Sequence, residues 1–180
     1  MNCSVLDELS LDDWTAELRK KIRGQRYPLG GMFELTDRCN LSCVHCYINQ
    51  PAASRVAQQS ELTTEQVKEI LKQLAEAGCL FLTFTGGEVL LRPDFIDIYQ
   101  YARRLGFLVT IFTNATLLTS QIADKLAESR PRLVEVTIYG ATRETYEAVT
   151  GVPGSYDRCI RGINLLLERG LALNLKTMVL

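Results

Sequence analysis

One histidine, His45, serves the entire 180-residue chain. A site built on several histidines, for zinc or non-haem iron, is therefore excluded, and any imidazole acid–base chemistry has to use this one side chain. Proline is scarce at five residues, and neither sign of charge dominates, with 20 Lys and Arg against 21 Asp and Glu. The resulting net charge of −1 creates no basic field for nucleic acid or an anionic membrane surface, so neither partner is expected. No run approaches the roughly 18 apolar residues of a membrane span. The first ten residues also lack the positive segment and apolar stretch of a secretory signal. A cytoplasmic location is expected.

Apolar side chains make up 47% of the sequence, enough for one substantial core. Six cysteines fall at positions 3, 39, 43, 46, 79 and 159, three of them packed into eight residues. In a reducing compartment such clustering points to metal or catalysis rather than to a disulfide framework.

Short β-rich runs at 32–36, 79–85, 107–112, 133–138 and 171–180 alternate with amphipathic helical stretches. Thr63, with Gln66 three places on, marks the start of a first helix whose Val67, Ile70, Leu71 and Leu74 share one face. Pro93 opens a second with Phe95, Ile98, Tyr99 and Ala102, Thr119 or Ser120 a third, and Ser155 caps a fourth that ends at Gly170. Residues 48–59 read as a loop, and the apolar run 79–85 as a strand covered on both faces. Five strands alternating with four helices make an α/β fold with a parallel sheet, either open and doubly wound or part of a βα barrel. Residues 39–46, 86–88 and 113–114 each follow a strand directly, which brings them to one rim. A further helix over 10–25 carries Trp14, Leu18 and Ile22 in one stripe, for packing on the main domain or for docking a partner. The expected organisation is a helical extension at 1–30 and a core domain at 31–180.

Cys39, Cys43 and Cys46 are spaced four and then three residues apart. Thiolates are soft ligands that favour zinc, copper(I) or iron–sulfur clusters. A structural zinc site wants four closed ligands. His45 adjoins Cys46 and is badly placed to share its ion, Cys79 belongs to the far end of a strand, and Cys159 to a helix. Three ligands without a fourth leave an open coordination position.

This Cys-x3-Cys-x2-Cys segment, with His45 and Tyr47 flanking Cys46, and the Thr85-Gly86-Gly87-Glu88 turn together resemble the radical S-adenosylmethionine (SAM) superfamily over residues 33–180. The resemblance implies a partial (βα)6 TIM-like barrel and a [4Fe–4S] cluster on Cys39, Cys43 and Cys46, its fourth iron chelated by SAM. It further implies that Gly86, Gly87 and Glu88 hold the SAM amino group. Reductive cleavage would then give methionine and a 5′-deoxyadenosyl radical that abstracts hydrogen. Asn114 is expected to face SAM, although Ala115 stands where relatives often have glycine. Thr137 is expected near the SAM ribose, with Tyr139 in place of a common acid, and Arg158 either joins it or stays solvated.

The run Cys-Asn-Leu-x-Cys-x-His-Cys-Tyr and the segment 151–157 are similar to the SPASM-type enzymes that mature ribosomal peptides or peptide-derived cofactors. Implied partners are a reductant such as flavodoxin or ferredoxin and a peptide or small-molecule substrate. The competing reading is a non-catalytic iron–sulfur or zinc module, for electron transfer or structure. His45 either shields the cluster by packing or relays a proton. The apolar run 171–180 is expected to form an unprotected edge open to self-association, one strand short of a closed barrel, with the substrate-defining half elsewhere.

Overall fold

The computed structural model describes residues 10–178 apart from 25 and 49. Cys3, residue 25 of the expected N-terminal helix and residues 179–180 of the expected last strand lie outside the described residues. Helix α1 (Leu11–Ile22) is capped by Ser10, whose side chain accepts from the Asp13 N–H, with acids in its first turn and bases in its last. Strand β1 (Gly30–Glu34) leads into a two-residue strand β2 (Arg38–Cys39), which pairs in parallel with β3 (Gln50–Pro51). The expected loop at 48–59 is corrected here. Ser54 accepts from the Ala57 N–H, Ala57 is buried, and α2 (Arg55–Ser60) forms. Helix α3 (Thr64–Glu76) has the reciprocal Thr63–Gln66 capping box.

Next come β4 (Phe81–Thr85), a single 3₁₀ turn (Val89–Leu91), α4 (Phe95–Arg104), β5 (Leu108–Thr113), α5 (Ser120–Glu128) and β6 (Leu133–Thr137). Two helices precede the last strand where one is expected from sequence: α6 (Arg143–Thr150) and α7 (Ser155–Glu168), then β7 (Leu173–Lys176). Ser155 is not the cap of α7. Gly154 takes that place at φ +73°, and the buried Ser155 hydroxyl pairs with Thr150 at 2.8 Å.

The main sheet runs β1-β4-β5-β6-β7 with every pair parallel. Side chains alternate across it. Leu82, Phe84, Val109, Ile111, Val134 and Val136 face the helices and are buried with Val67, Leu71, Phe95, Ile98, Leu126 and Leu166. The opposite face carries Thr83, Thr85, Phe112, Glu135, Thr137 and Lys176, all half-buried. The expectation that β4 is covered on both faces is thus corrected: α3, α4, α5 and α7 pack on one side, whereas Thr83 and Thr85 on the other stay half-buried. At the start of that face α1 sets Trp14 edge-on against Phe81, ring centroids 6.5 Å apart, so the N-terminal helix packs on the domain. Strand β7 lies at the sheet edge with Leu175 and Met178 exposed. Among the described residues no helix is long and apolar enough to cross a membrane.

Candidate cofactor and metal site

Cys39 is held on one side by backbone. The turn after β4 runs alongside the chain between β1 and β2, with Gly87 N–H donating to the Thr36 carbonyl at 2.7 Å and Glu88 N–H to the Arg38 carbonyl at 2.9 Å. A Cβ on Gly86 would stand 2.2 Å from the Thr36 oxygen, and one on Gly87 2.3 Å from the Arg38 oxygen. Both glycines are therefore demanded by the strand that delivers Cys39, and Gly86 also holds φ +130°. From the other side Arg38 makes a paired contact with Glu61 at 2.7 and 3.1 Å, while Thr36 donates to the same carboxylate. Arg92 reaches into the same cluster, donating to the Leu35 and Leu62 carbonyls and gripping Asp94.

Cys43 hangs on the helix that the sequence patterning left unassigned. Ser42 N–H donates to the Thr150 carbonyl at 2.9 Å and Val44 N–H to the Val149 carbonyl at 3.0 Å, so the cysteine is clipped to the end of α6 on both flanks. Gly151, at φ +68°, ends that helix directly beneath Ser42. Cys46 N–H closes back on the Cys43 carbonyl at 3.0 Å. Between them His45 lays its ring edge-on to Tyr139 at 4.8 Å, with Nδ1 buried and unpartnered. Burial, and then the charge of the neighbouring Cys43, push the phenol of Tyr139, just past β6, above its ordinary pKa.

Glu88 joins these parts. It is fully buried, and its carboxylate accepts from the Thr113 hydroxyl at 2.7 Å, the Asn114 N–H at 2.7 Å and the Leu90 N–H at 3.0 Å. Burial pushes its pKa up against the pull of those three donors. The Asn114 side chain in turn donates to Asn40 Oδ1 at 3.0 Å and towards Cys39 Sγ at 3.8 Å, while its oxygen accepts from Thr116. Asn40 Nδ2 returns to the Thr116 hydroxyl at 2.7 Å. The loop after β5 is thereby locked to the loop after β1.

The three thiols feel one another electrostatically. Burial lifts Cys39 to about 11, opposed by the Leu41 N–H that points at its sulfur from 3.4 Å, and burial also raises Cys43. The raised pKa favours neutral thiols at Cys39 and Cys43, and the positive charge of a metal centre would release their protons and let them ligate. Among the described residues no three His, Cys, Asp or Glu side chains converge as they would around one bound ion. An iron–sulfur cluster does not require that convergence, because each thiolate takes a separate iron. Donors aimed at sulfur, mutual proximity and partial burial fit a thiolate-ligated cluster.

The structure therefore brings together Cys39, Cys43, Cys46, Gly86, Gly87, Glu88 and Asn114 at the rim where strands end. Thr137 stands at the same rim on the open face. Arg158 folds back over Gly154, its guanidinium 3.2 Å from where a Cβ there would be. Cys79 and Cys159 are buried elsewhere, Cys159 against Tyr146. Sequence reasoning missed Glu61, Thr116 and the α6 clip. Thr142, which caps α6 by accepting from the Thr145 N–H, and Gly151 at its end were the available signals. It also missed the Glu135 carboxylate, which accepts from Asn174 and pairs with Lys176 on the open face.

A thiol triad on a loop after the first strand of a parallel βα sheet, facing a Gly-Gly-Glu turn, defines a class of protein. The model of the Radical SAM superfamily matches residues 33–180, and the chain belongs to that superfamily. It is 37% identical over 147 residues to the AdoMet-dependent heme synthase of Methanosarcina barkeri, covering 82% of this chain and 41% of that protein. To the mycofactocin maturase MftC of Mycobacterium tuberculosis it is 34% identical over 150 residues, covering 83% and 37%. The chain thus spans about two fifths of the length of these relatives. Among solved structures, Streptococcus suis SuiB bound to precursor peptide SuiA gives a TM-score of 0.72 at 20% identity, covering 97% of this chain and 40% of that one. Native anSMEcpe with bound AdoMet gives 0.67 at 18%, covering 81% and 43%. Both likenesses are of fold, and the sheet is accordingly a partial TIM-type barrel whose inner wall is the open face.

Proposed function

We propose that this chain is the cofactor-binding part of a radical SAM enzyme that matures a ribosomal peptide or a peptide-derived cofactor. The observation that carries it is the single hydrogen-bonded assembly uniting the sulfur of Cys39, the amide of Asn114, the carboxylate of Glu88 and the Gly86-Gly87 turn. Cys39, Cys43 and Cys46 would hold a [4Fe–4S] cluster, with SAM bound against Gly86, Gly87, Glu88, Asn114 and Thr137. So bound, the pair supplies one-electron cleavage of the sulfonium to methionine and a 5′-deoxyadenosyl radical that takes hydrogen from an unactivated carbon.

The protein's own part is placement and exclusion. Gly86 and Gly87 admit the Cys39 strand and leave backbone within reach of a ligand, which side chains there would block. Glu88 spends its oxygens on Thr113, Asn114 and Leu90, so it holds the loop bearing Asn114, and a ligand ammonium would exchange with one of those donors. Thr113, Asn114 and Thr116 are buried, which keeps water from the sulfur side and leaves entry from the open face. Peptide substrates are favoured by the maturase relative and by the peptide-bound structural neighbour. The electron would come from a flavodoxin- or ferredoxin-type reductant.

The test is anaerobic reconstitution of the intact protein with iron and sulfide, followed by dithionite and SAM. SAM-dependent 5′-deoxyadenosine that disappears in Cys43→Ala is the expected result. A reduced cluster whose EPR spectrum ignores SAM, with no 5′-deoxyadenosine, would leave the non-catalytic iron–sulfur module as the better reading.

A further inference from the structure

The face of the sheet turned away from α3, α4, α5 and α7 is the inner wall of the partial barrel, and one ion pair stands on it. Glu135 of β6 is in register with Phe112 of β5 on one side and Asn174 of β7 on the other, while Lys176 of β7 is in register with Thr137. Lys176 reaches back across β6. Its ammonium meets Glu135 Oε2 and lies 3.4 Å from the centroid of the Phe112 ring, two strands away. Glu135 is satisfied by its neighbours, since Oε1 accepts from Asn174 Nδ2 at 3.3 Å, and its side chain is 13% exposed against 39% for Lys176. An ammonium has three donors. The carboxylate takes one and the ring face a second, and the third has no acceptor among the described residues. Lys176 is also the one base that the described strands turn to this face, where the other acid, Glu34 on β1, accepts from the Tyr47 hydroxyl at 2.9 Å. For stability alone the arrangement is a weak device, because half-exposed ion pairs contribute little.

We propose that Lys176 is a substrate-binding residue that takes a carboxylate of the peptide substrate, with Glu135 and Phe112 holding its ammonium in place. The proposal rests on the reading of the chain as part of a peptide-maturing radical SAM enzyme and names the chemistry its substrate offers. Register places the group. Paired strands lie about 4.8 Å apart, so Lys176 is the backbone neighbour of Thr137, the residue read as the SAM ribose contact, and its ammonium sits over the β5 residue that precedes Thr113 and Asn114. A carboxylate seated there would stand beside the sugar end of the cofactor, with the carbons bonded to it presented to the radical. The bond to the ammonium is charge-assisted, whereas a neutral amide of the same shape accepts from the same N–H without the charge and binds less tightly. Glu135 competes with the ligand for the ammonium, so neutralising it strengthens capture, and glutamine there keeps an oxygen for positioning.

The test is ligand-observed NMR binding of three acetylated tripeptides to the intact, reconstituted protein with SAM: acetyl-Gly-Glu-Gly-amide, its Gln counterpart, and acetyl-Gly-Gly-Gly with a free C-terminal carboxylate. The wild type should bind at least one carboxylate peptide about tenfold more tightly than the Gln peptide, and which one it favours tells whether a side chain or a C-terminus is captured. Lys176→Met should abolish the preference, Lys176→Arg should retain most of it, and Glu135→Gln should enlarge it. An ion pair that serves stability alone would leave the preference unmoved in all three variants. Equal binding of the three peptides by the wild type, or binding of none, overturns the proposal, as does a preference that survives in Lys176→Met. Should Lys176→Met fail to fold, Glu135→Gln decides, and a preference that falls or stays level there overturns the proposal. If the wild type forms SAM-dependent 5′-deoxyadenosine yet treats the peptides alike, the enzyme reading stands and this proposal alone falls. A wild type that forms none defeats the reading on which the proposal rests, and the proposal with it.

Discussion

Gly162 stands inside the 14-residue helix α7, where glycine is an expensive choice. Replacing it with alanine should gain about 1 kcal/mol of helix propensity. The structure predicts the opposite sign. A Cβ at 162 would lie 2.2 Å from the carbonyl oxygen of Ala115, and 3.1 Å from both its carbonyl carbon and its Cβ. The nearest atom is main chain on a fully buried residue, held at φ +60° just after Asn114, so no side-chain rotation relieves the contact. Either α7 or the 113–116 loop must retreat by about 1 Å, and overpacking of this kind costs about 1–3 kcal/mol, more where backbone has to move.

Set against the propensity gain, Gly162→Ala should be destabilised by about 1–2 kcal/mol. For a chain of this length that lowers Tm by about 2–8 °C. Thermal unfolding followed by circular dichroism measures it. Because the principal clash is with an oxygen, the double variant Gly162→Ala, Ala115→Gly should stay well below wild type. A single variant that melts higher than wild type would refute the packing of α7 on the site loop. Full recovery in the double variant would show that the obstacle is the Ala115 methyl and not the backbone.

Other outcomes follow from the same geometry. Glu61→Ala leaves the buried Arg38 guanidinium without its partner and should cost about 3–5 kcal/mol in chemical denaturation; a loss under 1 kcal/mol would mean that Arg38 finds water instead. Burial raises the pKa of Glu61 and of Asp94, but hydrogen bonds and charge from Arg38 and Arg92 outweigh it and leave both lowered. Their contribution to stability is therefore complete above the ordinary carboxylate range and is lost as pH falls through the lowered folded values. Tm should drop on the acid side, less steeply in Glu61→Gln, and parallel wild-type and variant curves would contradict this. Glu88→Gln sets an amide N–H₂ against donors that all want an acceptor, costing about 1–3 kcal/mol; unaltered stability together with unaltered cluster content would show those three hydrogen bonds to be dispensable. Trp14→Ala removes the edge contact with Phe81, worth about 0.5–1.5 kcal/mol beyond area burial, so limited proteolysis should cut within α1 faster, and an unchanged cleavage rate would mean that the helix is held by other contacts.

The sequence by itself determined what depends on near neighbours. The Thr63–Gln66 capping box, the apolar stripes of α3 and α4, the alternation of strand and helix and the spacing of Cys39, Cys43 and Cys46 are all local, and the structure contains each of them. The parallel sheet follows because βα repeats have few ways to bury their apolar faces. Where local signals are weak or mimic others, patterning misplaces elements. Helix α6 offers only Tyr146 and Thr150 to the interior, and Ser155 looks like a cap while serving as a buried hydroxyl.

Tertiary structure alone decided what the motif residues touch. Gly86 and Gly87 are close to Thr36 and Arg38, some fifty residues away in the chain, and periodicity carries no trace of that approach. A carboxylate in a Gly-Gly-Glu turn suggests a partner outside the protein, yet Glu88 closes on Thr113 and Asn114. The pairing of the Cys43 flanks with α6 arises because the fold carries Val149 and Thr150, a hundred positions distant, to the same rim. Composition and spacing can name a ligand set; the donors that orient it come from loops that meet only once the core has formed.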